Sequence, residues 1–388
     1  MNLTSMHFSK LDLRRLLPVV LLAFAVSCGP AKTDCDGTVR IDSFSTKTNV
    51  SFFQDVYSDI RVVPLQTGDL ALGASGALHL KDAGEAYIIT DAESNAIYTF
   101  DRAGKLLRRI RKVGRGPGEY GQLVSCEYRN GRYFVLASGG HVIEYDGQGE
   151  LIREISLDRD LMDLAIVDGQ PVLLASRMDG DSEGASDKIL VCDADYQPVS
   201  SFCPQTFQLF NYESRLVPVA GEPGTFLYTE PTSTLIRKCD KSGIISTYEL
   251  DFKGKQMSEA MLLADDFEKI LAVMENTPDM FCYSNAFENG NHLLLGLEYL
   301  ADGEEKLRGQ WLVDKRDGSS RIEYLDYNGE FFGFLGLPQL LTAQDEVVYI
   351  VDTELLDAAL AVAPALAAVK DGLAAAAGGP ALLFCKIK

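Results

Sequence analysis

Ile97-Tyr98-Thr99-Phe100-Asp101 with Gly104, and Val142-Ile143-Glu144-Tyr145-Asp146 with Gly149, are two copies of one pattern: an apolar-rich run, an aromatic, an Asp, then a glycine three residues on. Three further copies follow: Ile189-Leu190-Val191-Cys192-Asp193, Leu235-Ile236-Arg237-Lys238-Cys239-Asp240 with Gly243, and Trp311-Leu312-Val313-Asp314 with Gly318. Each reads as strand, tight turn, strand. Recurrence of Asp at one register points to turn chemistry, because its side chain can accept backbone N–H bonds inside a hairpin. Cys192 and Cys239 fill the register of Phe100 and Tyr145 and therefore read as small core residues.

The repeat aspartates lie 45, 47, 47 and 74 residues apart, so the last interval carries an insertion. Residues 256–276 supply it, with Met257, Met261, Leu263, Phe267, Ile270, Leu271 and Met274 near helical spacing, Ser258 as N-cap and Pro278 past the end. A second marker precedes each Asp pattern: Tyr87-Ile88-Ile89, Tyr133-Phe134-Val135, Val172-Leu173-Leu174, Thr225-Phe226-Leu227, Leu293-Leu294-Leu295 and Val348-Tyr349-Ile350. Six runs at a mean step of about 52 residues match the period of four-stranded propeller blades. Their unbroken apolar character places them next to the ring axis.

The fold expected is therefore all-β: a six-bladed β-propeller over residues 39–388, with a short helical insertion between blades four and five and an alanine-rich helix in the last blade. That helix, Leu355 to Ala377, is broken near Pro364 and Gly372 and precedes a final strand, Ala381 to Lys388. The chain then ends short of a full blade. An N-terminal segment, Val39 to Phe44 or Ile60 to Leu65, can supply the missing outer strand and close the ring.

Residues 1–27 read as an export signal: Lys10, Arg14 and Arg15 precede an apolar run from Leu16 to Val26, too short to span a bilayer. Cys28 follows the small Ser27 at the end of this run. Residues 28–38, beginning Gly29-Pro30-Ala31-Lys32 after Cys28, have no apolar periodicity and read as a flexible tether. Lys+Arg 36 against Asp+Glu 56 give a net charge of -20 over 388 residues, a field that repels nucleic acid. Seven cysteines besides Cys28, an odd number without a C-x-x-C pair, disfavour a disulfide framework or zinc ribbon but leave room for one or two disulfides.

Ser27-Cys28-Gly29 resembles the lipobox of bacterial lipoproteins, in which the cysteine is diacylated. Together with the six units, the Val113-Gly114-Arg115-Gly116-Pro117-Gly118-Glu119-Tyr120 run and the terminal Pro380 to Lys388, it makes the chain resemble the six-bladed β-propeller lipoproteins of Bacteroides-type bacteria, relatives of NHL-repeat propellers. The resemblance implies lipidation at Cys28 and an envelope location, expected at the outer membrane on its periplasmic or surface face. It implies no catalytic residues and no ligand.

The Gly114–Gly118 run lacks the Lys-Ser/Thr of a phosphate loop and reads first as a tight turn. Arg115, Glu119 and Tyr120 are nonetheless the candidate ligand-binding residues on a propeller face. His79, His141 and His292 fall in different units and could meet only on the ring axis. Tyr120, Phe210, Tyr212, Trp311 and the acidic face of the inserted helix are further places for recognition.

No nucleophile can be given a base, and no cofactor is required, although an axial calcium held by carboxylates fits the fold. The expected function is a lipid-anchored, non-catalytic binding or scaffolding module for a peptide, a glycan or an envelope protein. The alternatives are a metal-dependent hydrolase or lyase with its site on the axis, and a structural subunit of an outer-membrane assembly.

Overall fold

The computed structural model describes residues 38–41, 52–68, 70–73, 77–176, 187–204, 214–231, 233–256, 268, 272, 279–301, 306–326, 330–376 and 379–388. Strands β1 (Thr38–Ile41) and β2 (Tyr57–Pro64) precede six antiparallel sheets. Blade one is β3 (Leu78–Asp82), β4 (Ala86–Asp91), β5 (Ala96–Asp101) and β6 (Leu106–Ile110). Blade two is β7 (Leu123–Arg129), β8 (Arg132–Ala137), β9 (His141–Asp146) and β10 (Leu151–Ser156). Blade three is β11 (Leu161–Val167), β12 (Gln170–Ala175), β13 (Asp187–Cys192) and β14 (Pro198–Pro204). Blade four is β15 (Arg215–Pro218), β16 (Phe226–Thr229), β17 (Leu235–Asp240) and β18 (Gly243–Leu250). Blade five is β19 (Asp279–Glu288), β20 (His292–Ala301), β21 (Lys306–Asp314) and β22 (Ser320–Asp326). Blade six is β23 (Leu340–Leu341), β24 (Glu346–Asp352) and β25 (Pro380–Ile387), with β2 as its outer strand.

The protein is a six-bladed β-propeller. Both N-terminal segments are used, in different blades. β2 pairs antiparallel with β25, Ile60 opposite Cys385 and Val62 opposite Leu383, and closes the ring. β1 lies parallel to β18 and adds a fifth strand to the rim of blade four.

The six apolar runs do not line the axis. They are the second strands of their blades, whereas the first strands β3, β7, β11, β15, β19 and β23 contact one another around the ring. A second strand has a hydrogen-bonded neighbour on each edge and an adjacent blade on each face, so every residue of β4 is buried while the outer β10 alternates. Nearness to the axis does not decide burial here.

The apolar side chains form six clusters, one between each pair of consecutive blades. Ile88, Ile97 and Ile110 of blade one meet Tyr133, Val135 and Ile143 of blade two, and Val172, Leu174 and Ile189 of blade three meet Leu216, Phe226 and Tyr228 of blade four. The interface of blades five and six also takes Phe334, Leu356, Ala359, Leu366 and Leu373 from helical segments.

The turn chemistry follows the repeat. Asp101, Asp146 and Asp193 each accept two backbone N–H groups on Oδ1, from Ala103 and Lys105, Gln148 and Glu150, and Asp195 and Gln197, at 2.8–2.9 Å. The following left-handed position is Gly104, Gly149 and, in blade three, Tyr196 at φ 60°. Cys192 and Cys239 are fully buried.

The alanine-rich stretch between β24 and β25 is three short pieces, helix Leu356–Val362, a 3-10 turn Pro364–Val369 and helix Lys370–Ala374. The break at Pro364 is as expected, since proline lacks the N–H a continuous helix needs. Gly372 does not break a helix. It lies inside the last one, where a Cβ would come 3.4 Å from Val62 Cβ on β2. The predicted helix over 256–276 falls outside the described residues except at Gln256, Glu268 and Ala272.

Candidate binding site at the axial channel

The first strand of each blade has an edge on the axis, and four of them carry charged or polar side chains there. On β3, His79 and Lys81 share a face, as do Ser125 and Glu127 on β7. Lys81 Nζ lies 2.8 Å from Glu127 Oε1 and 3.5 Å from Ser125 Oγ. Ser125 Oγ donates to Asp163 Oδ1 of β11 at 2.5 Å, and Asp163 Oδ2 accepts from Leu216 N of β15 at 2.9 Å. A chain of hydrogen bonds thus crosses the inner edges of blades one to four.

Asp163 and Glu127 are 1% and 3% exposed, so their charges are removed from water and must be compensated. Lys81 and backbone N–H groups do this. Burial alone would depress the Lys81 ammonium, but Glu127 and Asp163 outweigh it and hold its pKa above the usual lysine value.

His79 and Arg215 occupy equivalent positions in their blades, each paired with a threonine of the second strand, Thr90 and Thr229. Blades one and four are opposite in a ring of six, and the charge of Arg215 reaches His79. Burial by the surrounding strands, then the charge of Arg215, pushes His79 down to about 4, Asp163 opposing and Lys81 assisting. The imidazole is neutral at pH 7. Although solvent reaches it, the channel walls enclose it.

Arg215 NH1 donates to the backbone oxygens of Met162 at 3.4 Å and Ser214 at 3.3 Å. Among the described residues no carboxylate pairs with its guanidinium. Asp163 and Glu127, acidic groups of the inner strands, have hydrogen-bond partners of their own.

The residues singled out from the glycine-rich run do not converge. Glu119 Oε2 accepts Gly116 N at 2.8 Å inside the loop between β6 and β7, and a Cβ on Gly114 would come 2.0 Å from that oxygen. Gly118, at φ 68°, donates its N–H to Glu154 Oε2 and accepts from Tyr145 Oη at 2.6 Å. Tyr120 is 1% exposed in the core between blades one and two, its hydroxyl donating to Asn95 O at 3.0 Å. Arg115 is exposed. The run is an inter-blade turn that needs close backbone approach.

The three histidines do not meet on the axis. His79 is on a first strand, His292 on the second strand of blade five with Asp345 Oδ1 2.9 Å from Nδ1, and His141 on the third strand of blade two. Among the described residues no three or more His, Cys, Asp or Glu side chains cluster to hold a metal ion. Trp311 is not a recognition residue: it is fully buried between blades four and five against Phe252. Phe210, Tyr212 and Cys28 lie outside the described residues. The channel residues themselves carried one signal, a charge inside an otherwise apolar strand, as in Leu161-Met162-Asp163-Leu164-Ala165.

Fold and site together define a six-bladed propeller whose inner strands carry a polar, partly cationic set of side chains. The chain belongs to the family described as Domain of unknown function (DUF4934), whose model matches residues 38–370. No curated protein matches it. Its fold is shared by a Bacteroides fragilis protein described as exported, at 18% identity and a TM-score of 0.69, covering 90% of this chain and 99% of that one. A member of the DUF4221 family from Bacteroides vulgatus is similar at 12% identity and a TM-score of 0.49, covering 86% and 97%. Among the described residues no helix is long and apolar enough to cross a membrane.

Proposed function

We propose that the protein is an exported, lipid-anchored, non-catalytic propeller that binds an anionic group of a peptide, glycan or protein partner at the axial channel mouth. The observation that carries the reading is Arg215: a guanidinium on the channel with only carbonyl partners among the described residues, opposite a neutral His79. A planar fork of donors matches carboxylate, sulfate or phosphate, and an enclosed setting strengthens that pairing. The neighbouring carboxylates are hydrogen-bonded to other donors, so neither makes a direct bond to Arg215 or stands free as a general base. The export signal over residues 1–27 and the B. fragilis protein described as exported support export, and the lipobox-like Ser27-Cys28-Gly29 supports Cys28 as the anchor.

The test is binding of the purified mature chain to arrays of acidic and neutral peptides and glycans, in parallel with Arg215→Gln and Arg115→Gln. At least one acidic class should bind the wild type and the Arg115→Gln protein and be lost with Arg215→Gln. Binding of neutral probes alone, or acidic binding indifferent to Arg215→Gln, would overturn the reading. A bound anion should also raise the pKa of His79, followed by its ring resonances.

A further inference from the structure

Outer strand β14 is exposed along most of its length, and Cys203 is its single buried residue. Cys203 adopts φ 64°, a left-handed backbone that costs a non-glycine residue energy and is kept only where surrounding contacts hold it. Its side chain enters the cluster between blades three and four, where Cys239 of β17 is fully buried. Cys239 Sγ donates to Arg237 O at 3.7 Å, and the two thiols lie in this one cluster close enough for each to shift the other's ionisation. We propose that Cys203 and Cys239 are a dithiol pair that closes to a disulfide in the exported protein, stapling blade three to blade four.

The two thiols differ in access and in acidity. The neighbouring Cys239 thiol, then the charge of Arg237, holds Cys203 below the ordinary thiol range against the effect of burial, whereas Cys239 is pushed up. Burial pushes Cys126, Cys192 and Cys385 up as well. Cys203, 5% exposed on the outer strand where Cys239 is 0% exposed, is the thiol a donor reaches and the attacking thiolate. It displaces one thiolate from a disulfide donor such as oxidised glutathione, forming a mixed disulfide. Cys239 then loses its proton and displaces the second thiolate. Two protein thiols and one donor disulfide become one protein disulfide and two donor thiols.

An oxidising compartment favours this product, so the proposal rests on the export reading for its setting. The test separates the two. Folded, purified mature chain is equilibrated with glutathione buffers from fully reduced to fully oxidised, denatured with free thiols alkylated, digested, and analysed by mass spectrometry without reduction. A Cys203–Cys239 linked peptide should appear as the buffer becomes oxidising. With Cys239→Ser, Cys203 should instead carry glutathione, and with Cys203→Ser, Cys239 should stay a free thiol.

Alkylation of both cysteines in wild type under fully oxidised buffer would overturn the pair, and so would linkage to other cysteines. The same mapping on protein from cell envelopes should show the linked peptide. Two free thiols there would overturn the proposal. Recovery of the chain in the cytoplasm would overturn the export reading and leave the buffer experiment to decide the pair.

Discussion

Tyr57 Oη lies 2.7 Å from Tyr349 Oη across 292 residues of sequence, joining the strand that precedes blade one to the second strand of blade six. Tyr349 also donates to Gln310 Oε1 of blade five at 2.6 Å, and Gln310 Nε2 donates to Glu323 Oε2 at 2.9 Å. Ring closure is thus more than a strand ladder: a buried polar network ties the closing strand to two blades. At the surface, Arg61 of β2 reinforces it with two bonds to Glu346 at 2.8 and 3.0 Å.

Removing residues 52–64 should therefore cost far more than any point change within them. The deletion leaves β25 as an open edge, a template for association with other chains. Such a chain should lose cooperative thermal unfolding and aggregate. Tyr57→Phe keeps the strand and loses one hydroxyl, and should cost about 1 kcal/mol in urea titration.

Glu323 is fully buried, and burial pushes its carboxyl up to about 8 against an opposing hydrogen bond from Gln310. The folded chain then holds a proton that the unfolded chain releases near the ordinary glutamate value. Stability from this group is present in full below about pH 4.5 and is lost as pH rises toward about 8, by up to about 1.4 kcal/mol per pH unit. Glu323→Gln keeps a neutral group in place. Urea midpoints of the two proteins, compared from pH 5 to 9, should diverge in favour of the variant as pH rises. Parallel curves would mean that Glu323 is ionised throughout.

Lys188 and Glu230 form an ion pair between blades three and four with side chains only 2% and 3% exposed. Breaking a pair this deep strands a charge, so Lys188→Met should destabilise by about 3–5 kcal/mol. Lys188→Met with Glu230→Gln removes both charges and should be more stable than Lys188→Met alone. A double variant less stable than the single would show that the glutamate finds another cation.

The repeat was readable because Asp101, Asp146 and Asp193 perform one local task, accepting backbone N–H groups within a few residues. Local chemistry leaves a local signature. The order of strands within a blade was misread, since unbroken apolarity marks a strand covered on all sides, and in this ring that is the second strand. The channel site was not readable from residue type: Lys81, Ser125, Asp163 and Arg215 come from four blades at steps of 44, 38 and 52 residues, close to the blade spacing itself, but each blade puts a different side chain there and no repeated motif marks them. Tyr120 misled for the converse reason. A tyrosine after a glycine-rich run looks like an exposed loop residue, yet a chain that turns back onto the blade edge buries whatever follows the turn.

That turn makes a test of its own. A Cβ on Gly114 would sit 2.0 Å from Glu119 Oε2, so alanine there is forbidden unless the carboxylate moves. Moving it breaks the bond from Gly116 N, a charge-assisted hydrogen bond worth about 1.5–3 kcal/mol. Gly114→Ala should lose about that much in thermal or urea unfolding. In a Glu119→Ala background the obstacle and the bond are both gone, and the same substitution should cost little. The double-mutant cycle should therefore return a coupling of about 1–3 kcal/mol. Additive effects would mean that Gly114 is needed for its backbone and not for the space that Glu119 occupies.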